Sequence, residues 1–283
     1  MAAPTLDLRD PTFGLRLMVH EARAQQGPSR ELRDLRDAWL LHDPVDPEPF
    51  WNRLIGPRWP ADHAAFDRRL DEAITLFATI DRIPHVRPLP IGGGPADLTS
   101  RLIAAGFARV GADQRMALAD PSTCLEIARR HAERPSTHVS VERHPAQSSS
   151  LDRRWAVDAS LTLAEAFDVD PIRRAALEAD VLACVARPGC SILLLRDDGD
   201  GVSLARRATV AGGSYLSSIG TRPGWRGRGY ATLVTALAVA EALEAGSEFV
   251  HLAVEIDNEV ARRFYERLGF AVVGDPVPDL LLR

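Results

Sequence analysis

The sequence contains no lysine, so arginine supplies every strongly basic side chain among its 283 residues. We attribute this to coding bias, and it means that no lysine of this chain can be modified. The 34 basic residues face 39 acidic ones, which gives a net charge of −5 and an isoelectric point near 5.9. Proteins that bind nucleic acid usually carry a basic patch, so nucleic acid is not expected as a partner.

Cysteine and long apolar runs are also scarce. Cys124, Cys184 and Cys190 form neither a Cys-X-X-Cys pair nor an even set, a pattern typical of a reducing interior. We interpret them as buried thiols rather than catalytic groups. No stretch approaches the roughly 18 apolar residues of a membrane span, and residues 1–20 hold no long apolar run. We therefore predict a soluble, cytoplasmic protein without a membrane partner.

The apolar content of 46% is enough for a core in each of two domains, and the length predicts one or two. A polar stretch, Arg134-Pro135-Ser136, resembles a linker. We therefore predict one domain over residues 1–136 and a second over 137–283.

The first half is predicted to contain helices and short strands. The predicted helices are Leu15–Gln25, Arg30–Leu41, Asp62–Ile80, Ala96–Ala105 and Ser122–Glu133. The second of these follows Ser29, which would be its N-cap. A strand over His85–Leu89 contains Pro88 and precedes Pro90, so we expect an edge strand or a bulged strand. A further strand begins after Gly106.

The second half has a more regular pattern. Its predicted strands and helices follow the order β-α-α-β-β-β-α-β-α-β: His138–Arg143, Leu151–Phe167, Pro171–Ala186, Ser191–Arg196, Ser203–Ala211, Ser214–Thr221, Ala231–Ala242, Phe249–Ile256, Asn258–Leu268 and a strand from Phe270. The sequence Asp-Asp-Gly-Asp-Gly at 197–201 predicts a hairpin between two of the strands.

A glycine-rich stretch, Arg226-Gly227-Arg228-Gly229-Tyr230-Ala231, separates a predicted strand from a predicted helix. Such a junction leaves unpaired N–H groups at the helix N-terminus, where the macrodipole adds about half a positive charge. This arrangement binds phosphate or diphosphate. Glycine at 227 and 229 would leave the amides uncovered and tolerate positive φ, and Arg226 and Arg228 would add charge at the rim. Alone, the stretch is equally typical of an ordinary surface loop.

A faint internal repeat relates the two halves. Gly106-Phe107 and Gly269-Phe270 each end a predicted helix and open a strand, at an offset of 269 − 106 = 163 residues. At this offset Leu102 stands in place of Tyr265, and the residues that replace the glycine-rich stretch contain no glycine. We predict that the first half is a degenerate copy that kept the packing and lost the anion loop.

Residues 137–283 resemble the GNAT acyltransferase superfamily, whose members transfer an acyl group from acyl-CoA to an amine. The glycine-rich stretch fits the family pattern (Arg/Gln)-x-x-Gly-x-(Gly/Ala). Further matches are Pro223, Asn258, Ala261, Tyr265 and Gly269-Phe270. The resemblance implies an α/β (α+β) fold with a mixed central sheet flanked by helices, in tandem with a degenerate N-terminal GNAT-like domain.

The resemblance also implies that acetyl-CoA is the cosubstrate and that no metal takes part. The loop that would hold the CoA diphosphate comprises Arg226, Gly227, Arg228, Gly229, Tyr230 and Ala231. Ile219, Gly220 and Thr221 would pair with the pantetheine arm, and Asn258 would lie beside it. Tyr265 would protonate the departing thiolate.

Helical spacing agrees with the position of Tyr265, which shares one predicted helix face with Asn258, Ala261 and Leu268. A core tyrosine bonded to a backbone carbonyl is the alternative interpretation. A Rossmann dinucleotide site is disfavoured, because Thr232 stands where a third small residue is required and the loop follows a hairpin block.

The general base is not identified. An alkyl amine has a pKa near 10.4, so the site must take a proton from it. Many relatives place a glutamate in the strand before the loop, but residues 214–221 contain no carboxylate. Glu255, Glu165, Asp168 and Asp170 are candidates, and a water chain would also serve.

Two functions remain open from the sequence. One is an acetyl-CoA-dependent N-acetyltransferase whose acceptor is a primary amine of a small molecule or peptide. The other is a non-catalytic tandem module that binds acyl-CoA or a partner. A monomer and a homodimer are both compatible with the sequence.

Overall fold

The computed structural model describes residues 8, 10–89, 94–145 and 153–283. The helices in these ranges are α1 Pro11–Ala24, α2 His63–Thr79, α3 Leu98–Ala104, α4 Ser122–Glu133, α5 Arg153–Phe167, α6 Arg174–Val185, α7 Tyr230–Glu244 and α8 Glu259–Arg267. The strands are β1 Glu31–Asp34, β2 Trp39–His42, β3 Arg53–Ile55, β4 His85–Arg87, β5 Phe107–Leu118, β6 Val139–Pro145, β7 Cys190–Asp197, β8 Asp200–Val210, β9 Gly213–Thr221, β10 Phe249–Glu255 and β11 Phe270–Leu282. No helix in the described ranges is both long and apolar enough to span a bilayer.

The chain forms two compact units, each assembled from separate segments. Among the described residues, the N-terminal unit contains those of 8–116, Ala253–Arg262 and Val272–Arg283, and the C-terminal unit contains those of Ala117–Leu252 and Arg263–Ala271. The last strand of the chain therefore contributes most of its length to the N-terminal unit. The domain boundary at residue 136 stays a prediction.

The strands of the N-terminal unit follow the order β1-β2-β3-β4-β11-β5. Its core includes apolar side chains of α2, such as Phe66, Leu70 and Phe77, packed with Leu102 of α3 and Leu280 of β11. Since α2 presents these residues at helical spacing, burial of one face stabilises it.

The predicted helix over Arg30–Leu41 is wrong, because these residues form the antiparallel hairpin β1–β2. Its tight turn favours the hairpin. The Asp34 carboxylate accepts a hydrogen bond from the Arg36 N–H at 2.7 Å, and Arg36 adopts a left-handed φ of 72°. Local side-chain bonding of this kind competes with helix formation. Ser29 therefore precedes a strand and is not a helix N-cap.

The prediction of an edge or bulged strand at His85–Leu89 is also wrong. Val86 of β4 pairs in parallel with Leu54 of β3 and antiparallel with Leu280 of β11, so β4 is an inner strand. Pro88 lies beyond the end of β4, where it removes no ladder hydrogen bond.

The N-terminal unit also buries charged side chains. Arg53 and Arg87 are each only 1% exposed and lie 3.1 and 3.2 Å from Glu21 Oε1. Asp279 on β11 lies 2.9 Å from His85 Nε2 and 3.1 Å from Arg87 Nε. Burial alone would raise the pKa of Asp279, but the hydrogen bond from His85 and the charge of Arg87 lower it to about 2.

Residues 137–283 have the predicted element order. Within the C-terminal unit the strands are arranged as β10-β9-β8-β7-β6, and only β9 and β10 of the described pairs in this unit run parallel. The helix predicted over Leu151–Phe167 is present from Arg153, and residues 151–152 lie outside the described ranges. Helix α7 is buried on most sides, as its Ala/Leu/Val composition predicts.

Strand β9 changes conformation along its length. Its first three residues, 213–215, pair with 249–251 of β10. Further along, the register with β8 shifts between Leu204 and Arg206, and Ser218 has a left-handed φ of 51°. This irregularity bends the strand, and the residues after it lead into the glycine-rich loop.

Candidate active site

The glycine-rich loop joins β9 to α7 through a short 3₁₀ turn, Pro223–Trp225. Gly227 and Gly229 have φ values of 80° and 82°, in the region that disfavours residues with a Cβ. A Cβ built on either glycine meets no atom within 4 Å. The backbone conformation at 227 and 229, rather than steric crowding, therefore requires glycine. The space in front of both residues is open.

The N-terminus of α7 has no capping side chain. Gly229 is the N-cap residue and makes no side-chain cap hydrogen bond, while its carbonyl accepts from Leu233 N–H at 3.0 Å. The amides of residues 230–232 therefore precede the first intrahelical bond. Together with the helix dipole, they form a donor set suited to an anion.

Arg226 and Arg228 have different surroundings. The Arg226 guanidinium donates to the carbonyl of Thr221 at 3.2 Å and to that of Ala166 at 3.0 Å, so it ties the loop to β9 and α5. Arg228 is 53% exposed, and its guanidinium lies 4.6 Å from the Trp225 ring centroid. Of the two, Arg228 has the position expected for a positive charge at the rim.

Asp197 is part of the loop's surroundings and was not found by the sequence reasoning. It is 8% exposed at the end of β7 and accepts a hydrogen bond from the Tyr230 hydroxyl. This bond raises the pKa of Tyr230. Arg228 Nη1 lies 3.7 Å from the same carboxylate. No linear pattern pairs residues 197 and 230, so only the fold reveals this contact.

The end of β9 is closely packed against α5. A Cβ on Gly220 would lie 2.7 Å from a ring carbon of Phe167 and 2.8 Å from Ala166 Cβ. The Gly220 carbonyl accepts from Ser203 Oγ at 2.8 Å, and Thr221 Oγ1 lies 2.9 Å from the same hydroxyl. Ile219 is half-buried. These contacts fix Gly220 and Thr221, two of the three residues predicted to pair with the pantetheine arm.

Tyr265 is only 8% exposed, and its ring packs edge-on against Phe264 and Phe270, with centroids 4.9 and 5.9 Å away. Burial raises its pKa, so the phenol is neutral at physiological pH. Among the described residues its hydroxyl has no hydrogen-bond partner. The hydroxyl oxygen is also not among the fully buried polar atoms that lack a partner, so it is accessible to solvent. This geometry argues against a core tyrosine bonded to a carbonyl.

Asn258 is exposed and precedes α8. Its side-chain oxygen accepts from the Ala261 N–H at 3.0 Å, so it caps the helix. Its side-chain NH₂ group remains a potential donor to a ligand, and its role beside the pantetheine arm stays a prediction.

The four carboxylates considered as the base differ in availability. Glu165 forms two hydrogen bonds to Arg222, at 2.7 and 3.0 Å, and Asp170 accepts from the Ile172 N–H at 2.9 Å. Asp168 and Glu255 are exposed. None is buried beside Tyr265 in the described contacts, so the structure assigns no base.

The fold and loop geometry agree with the results of comparison with known proteins. Residues 161–270 match the Acetyltransferase (GNAT) family model. A mycothiol acetyltransferase from Nocardiopsis dassonvillei is 43% identical over 54 residues, which are 19% of this chain and 16% of that protein.

Solved structures extend the likeness over nearly the whole chain. A GCN5-related N-acetyltransferase from Kribbella flavida has a TM-score of 0.68 at 20% identity and covers 96% of this chain and 95% of its own. A tandem GNAT protein from the clavulanic acid biosynthesis pathway has a TM-score of 0.56 at 14% identity, with coverages of 98% and 96%. At these identities the likeness shows the fold alone, and the predicted mixed α/β fold with a central sheet flanked by helices is confirmed.

Proposed function

We propose that the C-terminal unit transfers an acetyl group from acetyl-CoA to a primary amine of a small molecule or peptide. The observation that carries the proposal is the uncapped N-terminus of α7 behind two left-handed glycines. The GNAT family match at residues 161–270 supports the same function.

In this proposal the main-chain amides from Gly227 to Ala231 donate to the CoA diphosphate, and Arg228 adds a positive charge. The backbone of residues 219–221 pairs with the pantetheine arm. Arg226 is a positioning residue, because its bonds to the Thr221 and Ala166 carbonyls hold the loop in place. The Tyr230–Asp197 bond holds the first turn of α7.

The chemistry begins with a neutral amine, whose nitrogen attacks the thioester carbonyl. The C–S bond then breaks, and the thiolate receives a proton while the amine loses one. Tyr265 is assigned as the proton donor, since burial keeps its hydroxyl protonated. Proton transfer by a positioned side chain typically contributes about 10²- to 10⁴-fold in rate.

The anion loop is tested with Gly229→Glu. A glutamate there places a bulky anion in front of the amides, and calorimetry should show acetyl-CoA affinity falling at least about a hundredfold, by loss of several charge-assisted hydrogen bonds. Gly246→Glu is a matched control, because Gly246 also has positive φ, at 78°, with open space around a Cβ, but follows the other end of α7. Unchanged binding to Gly229→Glu would contradict the assignment.

Glu165 and Asp170, two candidates for the general base, already form hydrogen bonds within the protein. This favours one alternative function, a non-catalytic tandem module that binds acyl-CoA or a partner. Release of free thiol from acetyl-CoA over a panel of primary amines separates the two functions. An enzyme releases thiol with at least one acceptor above the hydrolysis rate. A binding module shows a thermal shift with acetyl-CoA and no acceptor-dependent release.

A further inference from the structure

A separate groove lies between β6, β7 and α5 in the C-terminal unit. Its volume is about 500 Å³, within the range of small-molecule sites. Residues that line it include Glu142, His144, Trp155, Asp158, Arg196 and Gly199. None of these belongs to the glycine-rich loop, to β9 or to α8, so the groove is independent of the proposed acetyl-CoA site.

Three polar atoms of the groove are buried and have no hydrogen-bond partner among the described residues: Glu142 Oε2, His144 Nδ1 and Trp155 Nε1. The Trp155 side chain is only 7% exposed. Buried polar atoms are nearly always paired in folded proteins, so three unpaired atoms around one groove indicate a ligand that completes their bonding.

The groove is held in shape by Arg196. Its Nε lies 2.9 Å from Glu142 Oε1 and its Nη2 lies 2.9 Å from Asp158 Oδ2, while Nη1 donates to the Gly199 carbonyl at 3.1 Å. Glu142 is therefore fixed through one oxygen, and the other oxygen remains an acceptor. The His144 and Trp155 rings pack with their centroids 4.6 Å apart, which fixes both nitrogens.

The unpaired atoms define the chemistry of the ligand. Glu142 Oε2 carries part of a negative charge and accepts most strongly from a cation such as an ammonium group. The indole N–H of Trp155 can only donate, so it requires an acceptor such as a carboxylate oxygen. We propose that this groove binds a free α-amino acid, whose ammonium group donates to Glu142 Oε2 and whose carboxylate accepts from the Trp155 indole N–H and from His144 in the form that carries a proton on Nδ1.

The test uses the full chain labelled with ¹⁵N and follows the indole N–H signals by NMR. Trp155→Phe assigns the Trp155 signal and removes the donor while keeping most of the ring. Trp59 is the matched reference, because its Nε1 is also buried and unpaired but lies in the N-terminal unit. L-alanine, L-serine and L-leucine are the probes. Methylammonium and acetate, which carry only the ammonium group or only the carboxylate, are the comparison ligands.

We expect at least one of the three amino acids to shift the Trp155 signal to saturation and leave the Trp59 signal unchanged. Methylammonium and acetate should each bind at least tenfold more weakly than the amino acid. Glu142→Gln should weaken binding at least tenfold and leave acetyl-CoA affinity unchanged, and Trp59→Phe should have no effect. The proposal is overturned if none of the three amino acids moves the signal, if acetate alone binds equally well, or if Glu142→Gln binds like the wild type.

Discussion

Two strand-to-helix junctions of this molecule, β3 to α2 and β9 to α7, differ in how they satisfy a helix N-terminus. In the first, the Asp62 carboxylate accepts from the Ala65 N–H at 2.9 Å, so the helix is capped by an anion of the chain itself. In the second, Gly229 provides no side chain. The first junction therefore contains its own anion, whereas the second has no side chain of the protein at that position.

The comparison also corrects the register of the repeat at this point. Both Gly106 and Gly269 have left-handed φ, 97° and 92°, as an offset of 163 predicts. The N-caps of α2 and α7 are residues 62 and 229, an offset of 167. Under the predicted repeat, the two halves therefore differ by four residues, about one helical turn, between the N-cap of α2 or α7 and the helix-ending glycine.

The largest expected effect comes from Tyr265, which stands four residues before Gly269 as Leu102 stands before Gly106. Tyr265→Phe keeps the ring and removes the proton donor. We expect kcat to fall by about 10²- to 10⁴-fold, while the Kd for acetyl-CoA by calorimetry stays within about twofold because the loop is untouched.

Leu102→Met is the control for that prediction, because a volume-conserving change in the core usually costs less than about 1.5 kcal/mol and Leu102 belongs to the core of the N-terminal unit. It should leave kcat unchanged. If Tyr265→Phe turned over at the wild-type rate, the Tyr265 hydroxyl would have no role in catalysis. Tyr265 and Leu102 would then not differ in function.

The next effect concerns the buried charges of the N-terminal unit. The pKa of Asp279 is lowered to about 2 from an ordinary value of 3.8, so its ionised form stabilises the fold above about pH 4. That contribution is lost as the pH falls toward 2. Asp279→Asn should therefore reduce the free energy of unfolding by about 2 kcal/mol at pH 7 and by progressively less below pH 4, as measured by urea denaturation.

Asp275→Asn is the control, since Asp275 lies on the same strand and is exposed. It should change the stability by less than about 0.5 kcal/mol. A difference between Asp279→Asn and the wild type that stayed constant from pH 7 to pH 3 would show that the charge of Asp279 does not stabilise the fold.

Sequence reasoning succeeded where glycine, proline or long apolar periodicity marks an element. Helix α4 has the predicted bounds, Ser122–Glu133, and the positive φ of Gly227 and Gly229 follows from their being glycines in a tight junction. It failed at the β1–β2 hairpin, because residues 30–41 have acceptable helical propensity and their strand pairing is decided by the turn at Arg36 and by partners elsewhere in the chain.

At the candidate site, the backbone was predictable and the side-chain partners were not. The bond from Arg226 to the Ala166 carbonyl spans 60 residues, and the bond from Tyr230 to Asp197 spans 33. Linear spacing gives no signal for such contacts, since they depend on which strand ends the fold brings together. Arg226 therefore seemed equivalent to Arg228 in the sequence, although the structure gives it a different position.

The smallest expected effect tests the self-capped junction directly. Asp62→Ala removes the cap of α2, and we expect a loss of about 1 kcal/mol in the free energy of unfolding. Asp67→Ala, at an exposed position inside the same helix, should cost less because no N-terminal amide loses its partner. Calorimetry should show the same acetyl-CoA affinity for both variants and the wild type, since the ligand is assigned to α7. If Asp62→Ala bound a second equivalent of acetyl-CoA, the N-terminus of α2 would be an anion site that the Asp62 carboxylate blocks. The loss of binding at the first junction would then be due to this carboxylate and not to the missing glycines.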